Sequence, residues 1–262
     1  MRWLATSISL SVLAGGAGAD TAYVKPSSFA PELNQTITIE VGFNDYCCEP
    51  RYPVLSNSFA VIDSGQAFSQ PDRIESFITF TVLEHKIARE GTTRITTGER
   101  LGRLGEYVLL DGTYHMVNSQ DANALNIPDG TPILTSQTAT VTDAYVSVGT
   151  PDWHAIRAQV GRLRIEPAVH PNLITVGLPV VARVTFDQEP VADQRIIVTT
   201  EAQRLRGEKG FESKTDANGI FNVTIDDPGA AIIMTRLQAP SPEGAKTDIR
   251  SYTTALTLDV GK

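Results

Sequence analysis

Residues 44–50 read NDYCCEP, and Cys47 and Cys48 are the only cysteines in 262 residues. Adjacent cysteines are compatible with three chemistries. Oxidised, they close a disulfide between neighbours. Their Cα atoms, about 3.8 Å apart across a trans peptide, sit closer than the usual disulfide range of about 4.4–6.8 Å. The small ring makes a stiff, partly apolar turn suited to shaping a ligand rim. Reduced, they offer two thiolates to a soft or borderline metal such as copper or zinc. Neighbours in an extended strand face opposite ways, so a clamp requires a loop, and Asn44, Asp45 and Pro50 are loop formers. The third option is a bridge to another chain, or no special role. Spacing alone does not choose among the three.

The histidines are His85, His115, His154 and His170, and none falls in an H-x-x-x-H or H-E-x-x-H pattern. His85 ends the segment FITFTVLEH, and His115 follows a turn in LLDGTYHMV. Both lie in the same half of the chain as the cysteine pair. Cys47, Cys48, His85 and His115 are therefore the candidate ligands for a transition-metal ion: nickel, cobalt, copper or zinc. His170 precedes a proline in VHPN, and His154 lies in TPDWHAIRAQ. A lone histidine of this kind is expected to be a surface or hydrogen-bonded structural residue. The sequence has no G-x-S-x-G elbow, no glycine-rich phosphate loop and no paired-carboxylate motif. No catalytic residue is assigned, and a non-enzymatic protein is expected.

The elements that would position these residues begin after an export signal. MRWLATSISLSVLAGGAGAD has a single charge at Arg2, an apolar run from Trp3 to Leu13, and the small-residue cleavage pattern Ala17-Gly18-Ala19. This reads as a signal peptide over 1–19, too short to span a membrane. The mature chain is expected to start at Asp20, in the periplasm, with no later membrane span. Loss of Arg2 leaves 21 basic against 30 acidic residues. That balance argues against a nucleic-acid or anionic-membrane partner. An oxidising compartment favours the disulfide, but two cysteines make no disulfide framework, so an apolar core must hold the fold.

Apolar and polar residues alternate in TITIEVGF (36–43), FITFTVL (77–83), VVARVTF (180–186), RIIVTT (195–200), IFNVTI (220–225) and SYTTALTLDV (251–260). Period-two alternation, with many threonines and β-branched residues, marks strands with one buried face. In FITFTVL the pattern places Ile78, Phe80 and Val82 together. Turn signals such as DANG, DDPG and PDG separate the segments. An all-β chain follows, with two β-sandwich domains over 20–150 and 162–262, the second immunoglobulin-like. A short helical linker over 151–161 joins them, where Thr150 is the expected N-cap and Pro151 the first helical residue. SQDANALN (119–126) is expected to form one or two helical turns. The rhythm of 186–237, with Thr215, Asp216, Gly219 and Phe221 as a turn plus a core aromatic, resembles carboxypeptidase regulatory-like domains.

The order of several stretches carries a wider resemblance. TAYVKPSSF (21–29) is followed by TITIEVGF, ATVTDAYVSVG (139–149), GRLRIEPAVHPNLITVGLPVVARVTFD (161–187), TDANGIFNV and SYTTALTLDV. In this order the chain resembles the periplasmic family called domain of unknown function 4198, which includes NikM-like proteins linked to nickel and cobalt uptake. The resemblance implies two periplasmic sandwiches that capture or deliver a transition metal, with an envelope transporter or receptor as partner. Many relatives expose a histidine directly after the signal peptide; here the residue is Asp20, a harder and weaker donor set. The rival expectation is a structural or interaction module of the envelope, in which Cys47–Cys48 is an oxidised loop staple and the partner is a protein.

Overall fold

The structure, a computed structural model, describes residues 21–44, 47–117 and 127–262. It is all-β, as the alternation predicts. The strands in chain order are β1 (Thr21–Pro26), β2 (Thr36–Asn44), β3 (Tyr52–Pro53), β4 (Ala60–Ile62), β5 (Phe68–Ser69), β6 (Arg73–Ser76), β7 (Thr81–Lys86), β8 (Gly91–Thr96), β9 (Arg100–Leu110) and β10 (Thr113–Met116). They continue with β11 (Leu134–Val148), β12 (Leu163–Pro167), β13 (Pro179–Phe186), β14 (Glu189–Pro190), β15 (Arg195–Thr200), β16 (Phe211–Lys214), β17 (Ile220–Thr224), β18 (Gly229–Pro240) and β19 (Ile249–Val260). Among the described residues, two short α-helices, α1 (His154–Arg157) and α2 (Glu201–Leu205), and a 3-10 turn at Pro171–Leu173 interrupt them. Among the described residues no helix is long and apolar enough to cross a membrane.

Three sheets form. The first runs β1-β2-β7-β6, with β3 beside β2. The third runs β12-β13-β14, with β17 also on β13. Between them lies a ten-stranded sheet, β16-β15-β18-β19-β11-β8-β4-β5, with β9 on β11 and β10 on β9. Strand β11 organises this large sheet. Along one edge it runs parallel to β19, from Ser136↔Ile249 to Ala144↔Thr257. Its other edge takes β8 and β9 end to end, both antiparallel. At the break between them Gly98 has φ 61°, and a Cβ there would lie 2.3 Å from the Ser58 carbonyl oxygen. Only glycine fits that corner.

Alternate residues of β11 enter different cores. Ala144, Val146 and Val148 pack with Val24, Ile37, Ile39, Val41 and Leu83 between the large sheet and the first. Tyr145, on the opposite face, joins Val180, Ala182, Val184 and Phe221 of the third sheet. Two sandwiches thus share the large sheet, one on each face. A strand covered on both faces is buried without a break, as β11 is from Ala139 to Val148. The expected linker therefore connects elements that meet in one sheet.

Locally, TITIEVGF forms β2 with Ile37, Ile39 and Val41 buried, and VVARVTF forms β13 with Val180, Ala182 and Val184 buried, as expected. FITFTVL does not keep its expected register. Phe77 N–H donates to Phe80 O at 2.8 Å, closing a tight turn at Ile78–Thr79. The strand starts at Thr81, buries Thr81 and Leu83, and leaves Ile78 92% exposed. The linker helix also starts later than Thr150 and Pro151 suggest, at His154, where Asp152 Oδ1 accepts the His154 N–H at 2.8 Å. The segment 119–126 and the expected signal peptide over 1–19 lie outside the described residues. Helix α2 carries a capping box, Thr200 with Gln203, which the T-x-x-Q spacing signals.

Candidate functional site

The loop after β2 places the cysteine pair. Asn44 Nδ2 donates to the Glu49 carbonyl, and Arg51 N–H donates to Phe43 O at 3.0 Å, turning the chain into β3. Pro50 then lies over Gly42, where a Cβ would come within 2.9 Å of Pro50 Cβ and 3.3 Å of the Tyr23 hydroxyl. Cys48 is held at φ 65°, a conformation that non-glycine residues adopt at a cost of about 1–2 kcal/mol and keep only when their surroundings impose it. Cys47 and Cys48 are joined in a disulfide.

The disulfide is a plug between elements distant in sequence. Both cysteines are buried, packed with Tyr23 of β1 and with Ala230, Ile232, Met234 and Ala255 of β18 and β19. Cys47 Sγ lies 3.5 Å from Ala230 O. Tyr23 closes the other side, its hydroxyl donating to Glu40 Oε1 at 2.6 Å. Burial, together with that hydrogen bond and the Glu40 charge, pushes the phenol well above its ordinary range, so it stays a donor. Around the plug, Arg204 Nη1 meets Glu49 Oε2 at 2.7 Å and Lys25 Nζ meets Glu201 Oε1 at 3.3 Å. These pairs tie α2 to β1 and the cysteine loop; exposed pairs of this kind contribute at most about 1 kcal/mol each.

The other two candidate ligands lie elsewhere. His85 pairs with Ile37, whereas the cysteine loop leaves the far end of β2, about 24 Å away at about 3.4 Å per residue. His85 Nδ1 is 3.4 Å from Asp72 Oδ2 without hydrogen-bond geometry, and burial lowers its pKa against the pull of Asp72 and Asp63. His115 faces Val108 in the β9–β10 hairpin of the large sheet. The fold joins Cys47 to Cys48 but brings neither histidine to them. Among the described residues no group of three or more His, Cys, Asp or Glu side chains is arranged to hold a metal ion. As a disulfide, the pair offers no thiolate.

The histidines set aside as structural flank β12, His154 in α1 before it and His170 in the turn after it. His170 is 3% exposed. Its Nδ1 accepts the Asn172 N–H at 3.2 Å, so Nε2 carries the proton and donates to Asp152 O at 2.9 Å, with Thr92 Oγ1 3.0 Å away. Asp152 Oδ2 in turn accepts the Thr92 N–H at 2.9 Å, past Gly91, where a Cβ would meet that oxygen at 2.0 Å. His154 is exposed and pairs with Asp152 Oδ1 at 2.8 Å. Nearby, Arg94 holds Asp143 bidentately, at 2.9 and 2.5 Å, and donates to Ala158 O at 2.7 Å. This pair borders a cavity of about 10 Å³ with Tyr145, Ile156 and Arg164, too small for a ligand.

The fold and the stapled loop define a two-sandwich β protein that shares one central sheet. The chain belongs to the family described as domain of unknown function (DUF4198), whose model matches residues 17–239. No curated protein matches it. Among solved structures it is similar to the D0-D1 domain of intimin, at 11% identity over 90% of this chain and 97% of that one, with a TM-score of 0.24. It is also similar to the Yersinia pseudotuberculosis adhesin InvE, at 15% identity over 94% of this chain and 62% of that one, with a TM-score of 0.20. Likenesses at these scores carry no argument about function.

Proposed function

We propose that this chain is an exported, non-enzymatic interaction module of the cell envelope, with 20–150 and 162–262 as its two sandwich units and a protein partner. The observation that carries this reading is the buried Cys47–Cys48 disulfide, packed under Tyr23 against Ala230 and Met234 as a structural plug. The surface it leaves available includes the edge strand β6, exposed throughout, and the apolar turn with Phe77 and Ile78. An edge strand offers unpaired backbone groups to a partner strand. The metal site expected at Cys47, Cys48, His85 and His115 would need both cysteines reduced and released from this plug.

Native mass spectrometry of protein recovered from a periplasm tests the reading. The expected chain starts at Asp20, weighs two hydrogens less than the dithiol, and gains no nickel, cobalt, copper or zinc with or without reductant. A stoichiometric metal adduct that disappears in Cys47→Ser/Cys48→Ser would overturn it in favour of metal handling. A photo-crosslinking residue at Ile78 is expected to join the chain to one envelope protein in the exporting host. Loss of that product when β6 carries Ile74→Pro would assign the contact to the strand edge.

A further inference from the structure

The face of the large sheet that carries the plug changes character beyond Met234 and Ala255. Strand register puts Arg100, Thr140, Thr253 and Arg236 in one transverse row, since Arg100 pairs with Thr140, Thr140 with Thr253, and Thr253 with Arg236. Registered partners point to the same side of a sheet. Arg195 adjoins the row, one residue beyond the Ile196↔Thr235 pair. An extra residue in β9, where Leu104 pairs with Gln137 and Leu101 with Ala139, brings Arg103 to the same side. The opposite face of these strands is apolar core, with Ala139, Ile196, Leu237 and Tyr252.

This row holds more positive charge than it neutralises. Arg236 Nε donates to Thr253 Oγ1 at 3.0 Å. Among the described residues, the ionisable groups that act on Arg236 are Tyr107, Arg103 and Arg195, with no carboxylate among them. Burial and the two neighbouring arginines lower its pKa. Burial and Arg103 do the same to Arg100, whose Nε donates to the Leu55 carbonyl at 2.5 Å. Arg103 thus acts on both of the other guanidiniums. Arg195 at the rim is engaged by Glu212. Gathering like charges on a half-buried face is unfavourable unless something neutralises them, and this occurs in a chain of net charge −8. Guanidinium forks are matched in shape and charge to the oxygens of carboxylate, phosphate and sulfate. The hydroxyls of Thr140 and Thr253 supply short donors between the forks.

We propose that Arg236, Arg103 and Arg100, with Thr140 and Thr253, form a binding site for an oxyanion. The site is separate from the cysteine plug and independent of whether the module's partner binds at β6. The test is thermal unfolding of the full mature chain in sulfate, inorganic phosphate or succinate, against chloride at equal ionic strength. Each is run on the wild type and on Arg103→Gln. Arg103 is exposed, so this substitution leaves both cores intact. The wild type is expected to gain stability with an oxyanion beyond the chloride control. A gain with phosphate or sulfate marks a tetrahedral ligand, and a gain with succinate a carboxylate. Arg103→Gln is expected to weaken apparent affinity about tenfold, the loss of one charge-assisted contact. It should also raise the melting temperature in chloride alone, because repulsion between guanidiniums is relieved. A residue with a merely structural role would not do that. Equal responses to chloride and all three oxyanions, or an oxyanion gain of the same size in Arg103→Gln, would overturn the site.

Discussion

Two arginines on opposite faces of the same large sheet are treated in opposite ways. Arg94, on β8, is 4% exposed and grips Asp143 of the neighbouring strand with two hydrogen bonds, spending a third on Ala158 O. Arg236, on β18, has a threonine hydroxyl and two other arginines for company. The first arrangement is closed: charge, donors and acceptors are matched inside the protein, and the pair locks β8, β11 and the chain after α1 into one geometry. The second is open in charge: among the described residues no carboxylate acts on Arg236. A buried polar group that is fully partnered points to architecture, and one that is not points to a ligand.

Removing the positive member of each arrangement should separate them most sharply. Arg94→Met leaves the Asp143 carboxylate buried and unpaired, and is expected to cost about 3–5 kcal/mol in urea unfolding. Arg94→Met with Asp143→Leu should recover most of that loss, because an apolar pair of similar volume replaces the ions. The same operation at Arg236 is expected to be neutral or stabilising, within about 1 kcal/mol, since no buried carboxylate is orphaned. Equal losses at both positions would erase the distinction and show Arg236 to be as structural as Arg94.

The cysteine plug borders the arginine row and tests whether the two are independent. Cys47→Ala with Cys48→Ala empties part of the pocket against Met234 and Ala255, for an expected loss of about 1–3 kcal/mol. A ring between neighbours closes almost no chain, so the entropic gain that long disulfide loops provide is largely absent here. Reduction alone, which leaves both sulfurs in place, should therefore cost less than the double alanine. The oxyanion response should survive in the alanine variant. Its loss would mean that the plug and the arginine row act as one site.

How much of this was legible depended on range. Strands whose apolar faces meet one core were readable from alternation, as Ile37, Ile39 and Val41 or Val180, Ala182 and Val184 show. The pattern misled at 77–83, where Ile78, Phe80 and Val82 satisfy a period of two but a local hydrogen bond from Phe77 to Phe80 turns the chain at Ile78–Thr79. It was mute on the double role of β11, where Ala144, Val146 and Val148 feed one core and Tyr145 the other. The vicinal cysteines raised the right chemistry, yet nothing local shows that their pocket is built from residues some 180 positions later. The arginine row was invisible for the same reason. Arg100, Arg103 and Arg236 share no motif, and only the β9–β11–β19–β18 register gathers them.

The smallest expected effect concerns pH, and it extends the comparison to a buried group whose partners suit only its neutral form. His170 makes its two hydrogen bonds as a neutral imidazole, Nδ1 accepting and Nε2 donating. Protonation would force a donor against the Asn172 N–H. Burial lowers its pKa, and the Asp152 carbonyl and charge only partly oppose this. The groups facing it are Asp152, Thr92, Asn172 and the edge of Trp153. With the folded pKa below the unfolded value of about 6.5, the unfolded chain binds more protons as pH falls through that value. The contribution of His170 is therefore fully present above about pH 6.5 and declines below it. His85, also lowered by burial, adds to the same slope. Urea unfolding between pH 7.5 and 5 should thus show falling stability, with a shallower slope in His170→Gln, whose amide can still donate to Asp152 O. An unchanged slope would mean that His170 tolerates its proton, and that the junction is less closed than the Arg94–Asp143 pair beside it.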